Sequence, residues 1–189
     1  MTTATARRIP GESGTWVFLF GDMIVFGVFF VTFMVERAKA PEAFDAARKT
    51  LHIGVGVTNT LVLLASSLLV VVALGAMRSG AKSIATRALY AAIACGLTFI
   101  ALKVFEYVAL ASAGHGPGAN HFYLYYFILT GLHLLHVVIG LAVLALLVTQ
   151  ARRAELGATR LALVEGGACF WHLVDLLWIF LFALLYLVS

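Results

Sequence analysis

Ionisable side chains within long apolar segments are the residues of this sequence that could do chemistry. His172 and Asp175 lie three residues apart in the last apolar segment, and His133 and His136 have the same spacing in the segment before it. A spacing of three puts two side chains on one face of a helix. Ionisable groups cost several kcal/mol at the centre of a membrane, so they mark either a functional site or a buried polar contact.

Polar residues also occur in the other apolar segments. They are Asp22, Asn59, Lys103 and Glu106, of which Lys103 and Glu106 are spaced for a pair on one helix face. Intramembrane carboxylates can relay protons, and imidazoles can bind a metal ion or haem. Buried hydrogen bonds can equally hold membrane helices together. We expect interior hydrogen bonding first and proton handling second, with no catalytic residue and no metal or cofactor site.

Composition places most of the chain in lipid. Hydrophobic residues make up 62% of the 189 residues and charged residues 12%, which is about half the charged fraction of a soluble domain. The mean hydropathy is +1.02. The net charge of +4 belongs to loops, so we expect no nucleic-acid partner. Cys95 and Cys169 lie within apolar segments and are not expected to form a disulfide, and no cleavable signal peptide is recognisable.

Five apolar segments reach the roughly 20 residues that a membrane-spanning helix needs. They cover residues 15–35, 53–77, 87–112, 122–149 and 163–188. The sequence therefore predicts an all-α, polytopic membrane bundle of five transmembrane helices. We expect one transmembrane domain, residues 15–189, after a cytoplasmic segment, residues 1–14. Pro41 is expected to start a short interfacial helix in the first connector.

The distribution of Lys and Arg predicts the orientation. One side of the predicted membrane holds eight: Arg7, Arg8, Arg78, Lys82, Arg87, Arg152, Arg153 and Arg160. The other side holds four: Arg37, Lys39, Arg48 and Lys49. Because positive loops stay on the cytoplasmic side, we expect a cytoplasmic N-terminus and a periplasmic C-terminus.

Depth in the membrane suggests which polar residues meet. Helices rise about 1.5 Å per residue through a hydrocarbon core of roughly 30 Å, so residues on different helices can be compared in level. The predicted contacts are Asp22 with His136, His133 with His172, and Lys103 with Glu106 and Asp175.

Aromatic residues near the segment ends are predicted to be interface anchors. These are Trp16, Tyr123, Tyr125, Tyr126 and Tyr186. Trp171 and Trp178 are predicted to be packing residues.

The polar motifs of four segments resemble the last four helices of a known membrane protein family, and they occur in the same order along the chain. Residues 171–182, WHLVDLLWIFLF, resemble the final helix of subunit III of haem-copper cytochrome c oxidases, and residues 130–140, TGLHLLHVVIG, its penultimate helix. Residues 105–107, FEY, and 59–67, NTLVLLASS, are similar to the two helices before. The resemblance covers nearly the whole chain.

Four features distinguish the chain within that family. Typical members have seven spans, and the five here match the last five. Residues 9–16, IPGESGTW, and 20–23, FGDM, resemble the short NorE-type branch associated with nitric oxide reductase. Asp22 takes the place of a glutamate of longer members, and Lys103 stands where a neutral glutamine is expected.

The resemblance implies a non-catalytic accessory subunit in respiratory electron transport. Its partner would be a haem-copper catalytic subunit of the nitric oxide reductase or cytochrome c oxidase type, serving denitrification or aerobic respiration in a bacterial inner membrane. The chain would support assembly, stability, or access of protons or gas, in contact with membrane lipids. Two alternatives remain open: an independent proton-coupled transporter and a redox subunit with a bis-histidine haem.

Overall fold

The computed structural model describes residues 13–153 and 157–188, and these residues are almost entirely helical. The helices are α1 (Ser13–Lys39), α2 (Pro41–Arg48), α3 (Ile53–Arg78), α4 (Lys82–Ser112), α5 (His121–Ala151) and α6 (Ala158–Phe182). A single π-helical turn, Ala183–Leu187, continues α6.

Five of these helices, α1 and α3 to α6, are long and apolar enough to cross a membrane. The all-helical, five-span prediction is therefore confirmed. The short α2 begins at Pro41, as predicted, since the proline ring already has a helical φ and lacks only an N–H that a first turn would leave unbonded. The interfacial position of α2 stays a prediction.

Two of the spans begin five residues earlier than predicted. Helix α4 starts at Lys82 instead of residue 87, and α6 starts at Ala158 instead of residue 163. Hydropathy marks only the apolar part of a helix, whereas Lys and Arg side chains can reach water while their backbone stays helical. Helix α1 starts at Ser13, inside the segment predicted to be cytoplasmic; the location of that segment stays a prediction.

Helices α3 to α6 form the bundle, and α1 lies at its edge against α5 and α6. Small residues allow close approach in the bundle. The indole of Trp171 lies against Gly96 of α4 and Gly140 of α5, where an added Cβ atom would come within 3.0 Å and 2.6 Å of the ring. Small residues at such crossings are typical of membrane bundles, in which close packing replaces the hydrophobic drive.

Candidate functional site

A buried ion pair in the centre of the bundle joins Lys103 and Glu106 of α4. The Lys103 Nζ atom lies 2.8 Å from Glu106 Oε2, and the two side chains are 1% and 2% exposed. Nζ also lies 3.0 Å from each of the hydroxyl oxygens of Tyr126 and Tyr186. These three acceptors match the three N–H groups of an ammonium ion, so every donor of Lys103 is used.

Aromatic rings complete the enclosure of this cation. The Lys103 Nζ atom lies 4.8 Å from the ring centre of Trp178, 4.9 Å from that of Tyr126 and 5.5 Å from that of Tyr186. The faces of such rings are electron-rich and attract a desolvated cation. The Tyr186 hydroxyl donates to both Glu106 oxygens, at 2.8 and 2.9 Å, and so closes a network over three helices. We call Lys103, Glu106, Tyr126, Tyr186 and Trp178 the lysine cluster.

The C-terminal π-helical turn supplies Tyr186 to the lysine cluster. The carbonyl oxygen of Tyr186 accepts a hydrogen bond of 3.2 Å from Arg48 Nη1 on α2. The last carbonyl groups of a helix have no N–H partner within the helix. A hydrogen bond from an arginine therefore stabilises this end. The connector helix α2 thus holds the chain end that carries the tyrosine.

A second pair lies between α1 and α5. Asp22 Oδ2 is 3.4 Å from His136 Nε2, so the structure brings the two predicted residues together. His136 Nδ1 lies 2.8 Å from the Leu132 carbonyl oxygen. A carbonyl only accepts, so Nδ1 carries a proton. Asp22 Oδ2 makes no hydrogen bond with any other described residue, so the 3.4 Å approach to Nε2 is a close contact without a hydrogen bond. The pair joins the edge helix α1 to α5.

A third cluster joins α3 and α6. Ser67 Oγ lies 2.5 Å from His172 Nδ1, and the Asp175 carboxyl group lies beside the same hydroxyl. The predicted contact of His172 with His133 does not form, and the predicted inclusion of Asp175 with Lys103 and Glu106 is wrong. Both errors have one cause: depth fixes the level of a residue but not the direction in which its helix face points.

His133 and Asn59 are buried, and neither has a hydrogen-bond partner among residues 13–153 and 157–188. Both ring nitrogens of His133 and both amide atoms of Asn59 lack one, although each residue is 0% exposed. The His133 ring lies 5.6 Å from the ring of Phe99 and 5.3 Å from that of Trp178. His133 thus packs within an aromatic layer directly beside the lysine cluster.

Three tyrosines predicted to be interface anchors are instead core residues. Tyr123, Tyr126 and Tyr186 are at most 2% exposed, and the Tyr123 hydroxyl lies 2.8 Å from that of Thr50. Their position near segment ends suggested an anchor, but Glu106 accepts from only one N–H group of Lys103, and the other two need hydroxyl acceptors. That need was the signal in the sequence that could have identified Tyr126 and Tyr186. Trp171 and Trp178 are buried packing residues, as predicted.

The intramembrane histidines do not converge. His133, His136 and His172 each have different neighbours, and among the described residues no group of three or more His, Cys, Asp or Glu side chains is arranged to hold a metal ion. The polar groups mainly connect one helix to another. Fold and interior together define a multi-pass helical membrane protein with interhelical polar clusters.

Comparison with known proteins identifies the family. The sequence profile of cytochrome c oxidase subunit III matches residues 6–189. The chain is 30% identical to the cytochrome bo(3) ubiquinol oxidase subunit 3 of Pseudomonas putida, covering 93% of this chain and 84% of the relative. It is 26% identical to the probable quinol oxidase subunit 3 of Staphylococcus aureus strain USA300, covering 99% and 94%. The chain belongs to the cytochrome c oxidase subunit III family, whose members are non-catalytic accessory subunits of haem-copper oxidases.

Proposed function

We propose that this protein docks laterally on a haem-copper catalytic subunit in the bacterial inner membrane and supports its assembly and stability. The observation that carries the proposal is the family match over residues 6–189. The interior polar groups agree with a supporting role, because Lys103, Glu106 and Tyr186 are used up in contacts between this chain's own helices. Interhelical hydrogen bonds of this kind give a membrane bundle a defined structure.

The outer surface suits such docking. Helix α1 exposes a row of large apolar side chains, among them Val17, Ile24 and Val31, which are 64–75% exposed. Membrane helices associate through close packing of such surfaces. The bundle thus presents apolar side chains to lipid or to a neighbouring subunit, while the charged pair within its spans, Lys103 and Glu106, is buried.

An oxygen-reducing quinol oxidase is the partner that the relatives favour, since both are named as quinol oxidase subunits. The chain covers 84% and 94% of the length of these two quinol oxidase relatives. Its short length therefore does not favour a nitric oxide reductase over a quinol oxidase. The opening residues 9–16 still support the reductase as a second candidate. Residues 9–12 lie outside the described part of the chain.

Proton handling is the second role we propose, and Asp22 with His136 is the pair suited to it. Their side chains are 17% and 10% exposed, so the pair is close to the bundle surface at the α1–α5 contact. A proton held there could exchange with a neighbouring subunit. Glu106, by contrast, is enclosed by Lys103 and Tyr186 and has no such access.

The alternative functions have weaker support. A bis-histidine haem needs two imidazoles facing one cofactor, but His133, His136 and His172 have different neighbours. A proton-coupled transporter is typically built from inverted repeats and broken helices near the midplane. The described spans α3, α4 and α5 are continuous helices of 26, 31 and 31 residues.

Co-purification tests the proposal. The tagged full chain, extracted from its native host in mild detergent, is expected to bring along a large membrane subunit with a haem-copper oxidase absorption spectrum. Oxygen and nitric oxide consumption by the purified complex then distinguish the two candidate partners. A chain that elutes alone under every mild condition would overturn the proposal, and proton flux into liposomes containing only this chain would support the transporter.

A further inference from the structure

A cavity with basic walls lies at the end of the bundle opposite the C-terminus. Its volume is about 340 Å³, and it is formed where α3 ends, α4 begins, α5 ends and α6 begins. Three cationic residues line it: Arg78, Lys82 and Arg153. We call this cavity the basic cavity.

Two of the three cations have no counter-ion in the described part of the chain. Arg78 Nη2 is paired with Glu165 Oε1 at 2.7 Å. The side chains of Lys82 and Arg153 make no ion pair or hydrogen bond with residues 13–153 or 157–188, and both are exposed. Two positive charges on one cavity therefore stay available for an anion.

The start of α4 adds to the positive potential. The chain turns at Gly80, with φ of 75°, and Ala81 at the N-cap provides no side-chain acceptor for the first-turn N–H groups. Unbonded N–H groups and the helix dipole attract an anion at such an end. Gly80 and Lys82 both line the basic cavity, so the start of α4 lies at its wall, although the N–H group of Lys82 itself donates to the Gly80 carbonyl oxygen at 2.9 Å.

Apolar residues form the rest of the lining. Met77, Ala151 and Leu161 belong to the ends of three helices that are long and apolar enough to cross a membrane, and helix ends of this kind are expected at the level of the lipid headgroups. Charged and apolar walls together fit an amphiphile with a negative head. Basic cavities between membrane helices are typical of sites for anionic lipid headgroups.

We infer that the basic cavity binds the phosphate of an anionic phospholipid headgroup, with Lys82 and Arg153 as its principal ligands. The apolar wall directs the glycerol and the acyl chains toward the membrane. This lipid site does not depend on the identity of the catalytic partner.

Native mass spectrometry of the delipidated full chain tests the site. Phosphatidylglycerol and phosphatidylcholine are added in equal amounts, and we expect phosphatidylglycerol to be retained preferentially. Lys82→Gln and Arg153→Gln should each weaken phosphatidylglycerol retention about fivefold, as one cation near a lipid surface contributes. Lys82→Arg should restore it.

Two matched variants separate the cavity from general surface charge. Arg160→Gln removes an exposed cation in the first turn of α6, on the same end but outside the cavity lining, and Lys49→Gln removes one at the opposite end. Both control variants should retain phosphatidylglycerol as the unaltered chain does. All variants should have the same thermal unfolding midpoint as the unaltered chain. Equal retention of the two lipids, or equal losses in the control variants, would overturn the inference. Displacement of the lipid by millimolar inorganic phosphate would assign the site to free phosphate instead.

Discussion

Lys103 is a cation enclosed at membrane depth, and its neighbours account for its presence there. Glu106 neutralises the charge, Tyr126 and Tyr186 accept the remaining N–H groups, and the ring of Trp178 faces Nζ. Pairing and complete hydrogen bonding are the conditions under which a buried charge is tolerated. Such a pair does not make the protein much more stable than an apolar pair of similar size would. The loss of one partner, however, leaves the other as an uncompensated buried charge.

Removing one partner of this pair should therefore be costly. Lys103→Met is expected to lower the free energy of unfolding by about 3–5 kcal/mol, because Glu106 is left as an uncompensated buried charge. Lys103→Met combined with Glu106→Met should recover most of the loss. The measurement is denaturant unfolding in detergent, followed by circular dichroism.

The matched control for this prediction is Lys49→Met, which removes an exposed cation. Its effect should stay within about 0.5 kcal/mol. If Lys103→Met unfolded with the same free energy as the unaltered chain, the lysine cluster would have no stabilising role.

At the scale of the helices, the close contact of α4, α5 and α6 requires glycine, which has no side chain, at two positions. Trp171 is 1% exposed and lies against Gly96 and Gly140, so the backbones of α4 and α5 come close to the indole ring. The histidines and carboxylates occupy faces that this packing determines. A change in the α5–α6 distance would displace the lysine cluster as well, because Tyr126 and Tyr186 are on these two segments.

Gly140→Ala should destabilise the bundle by about 1–3 kcal/mol, the usual cost of overpacking. The added Cβ atom would lie 2.6 Å from Trp171 Cε3, so the indole ring or one of the two helices must move. The same unfolding experiment measures the loss.

Gly131→Ala is a control in the same helix, since no atom lies within 4 Å of its added Cβ atom. It should leave the free energy of unfolding unchanged or raise it slightly, because alanine favours the helix. Trp171→Phe should relieve part of the Gly140→Ala loss. Equal effects of Gly131→Ala and Gly140→Ala would rule out the close contact as the cause.

At the scale of the whole molecule, charge should orient the bundle. Arg78, Lys82, Arg153 and Arg160 lie at the end that also holds the start of α4, and Lys49 lies at the other. The end richer in Lys and Arg is proposed to be cytoplasmic. The basic cavity would then face the cytoplasmic leaflet.

Cysteine labelling in cells checks this orientation. In a chain with Cys95→Ala and Cys169→Ala, Ala119→Cys should react with a membrane-impermeant maleimide in spheroplasts. Ser83→Cys should react only after lysis, since it is exposed at the opposite end. The reverse pattern of labelling would contradict the proposed orientation and would place the basic cavity in the outer leaflet.

Much of the architecture followed from local sequence patterns. Five apolar segments of sufficient length, the helix start at Pro41 and the pairing of Lys103 with Glu106 were predictable because each depends on residues close together in the chain. The contact of Asp22 with His136 also agreed with the structure, since the level of a residue in the membrane follows from its distance to the span end.

Only the tertiary structure decided which helix faces meet. His172 bonds Ser67 instead of His133, Asp175 lies beside Ser67 instead of Lys103, and Tyr186 reaches Lys103 from a terminal π-helical turn. Apolar residues surround every span, so hydropathy carries little information on its rotation about its own axis. That rotation is fixed by close packing between helices, such as Trp171 against Gly140, and such packing involves residues far apart in the sequence.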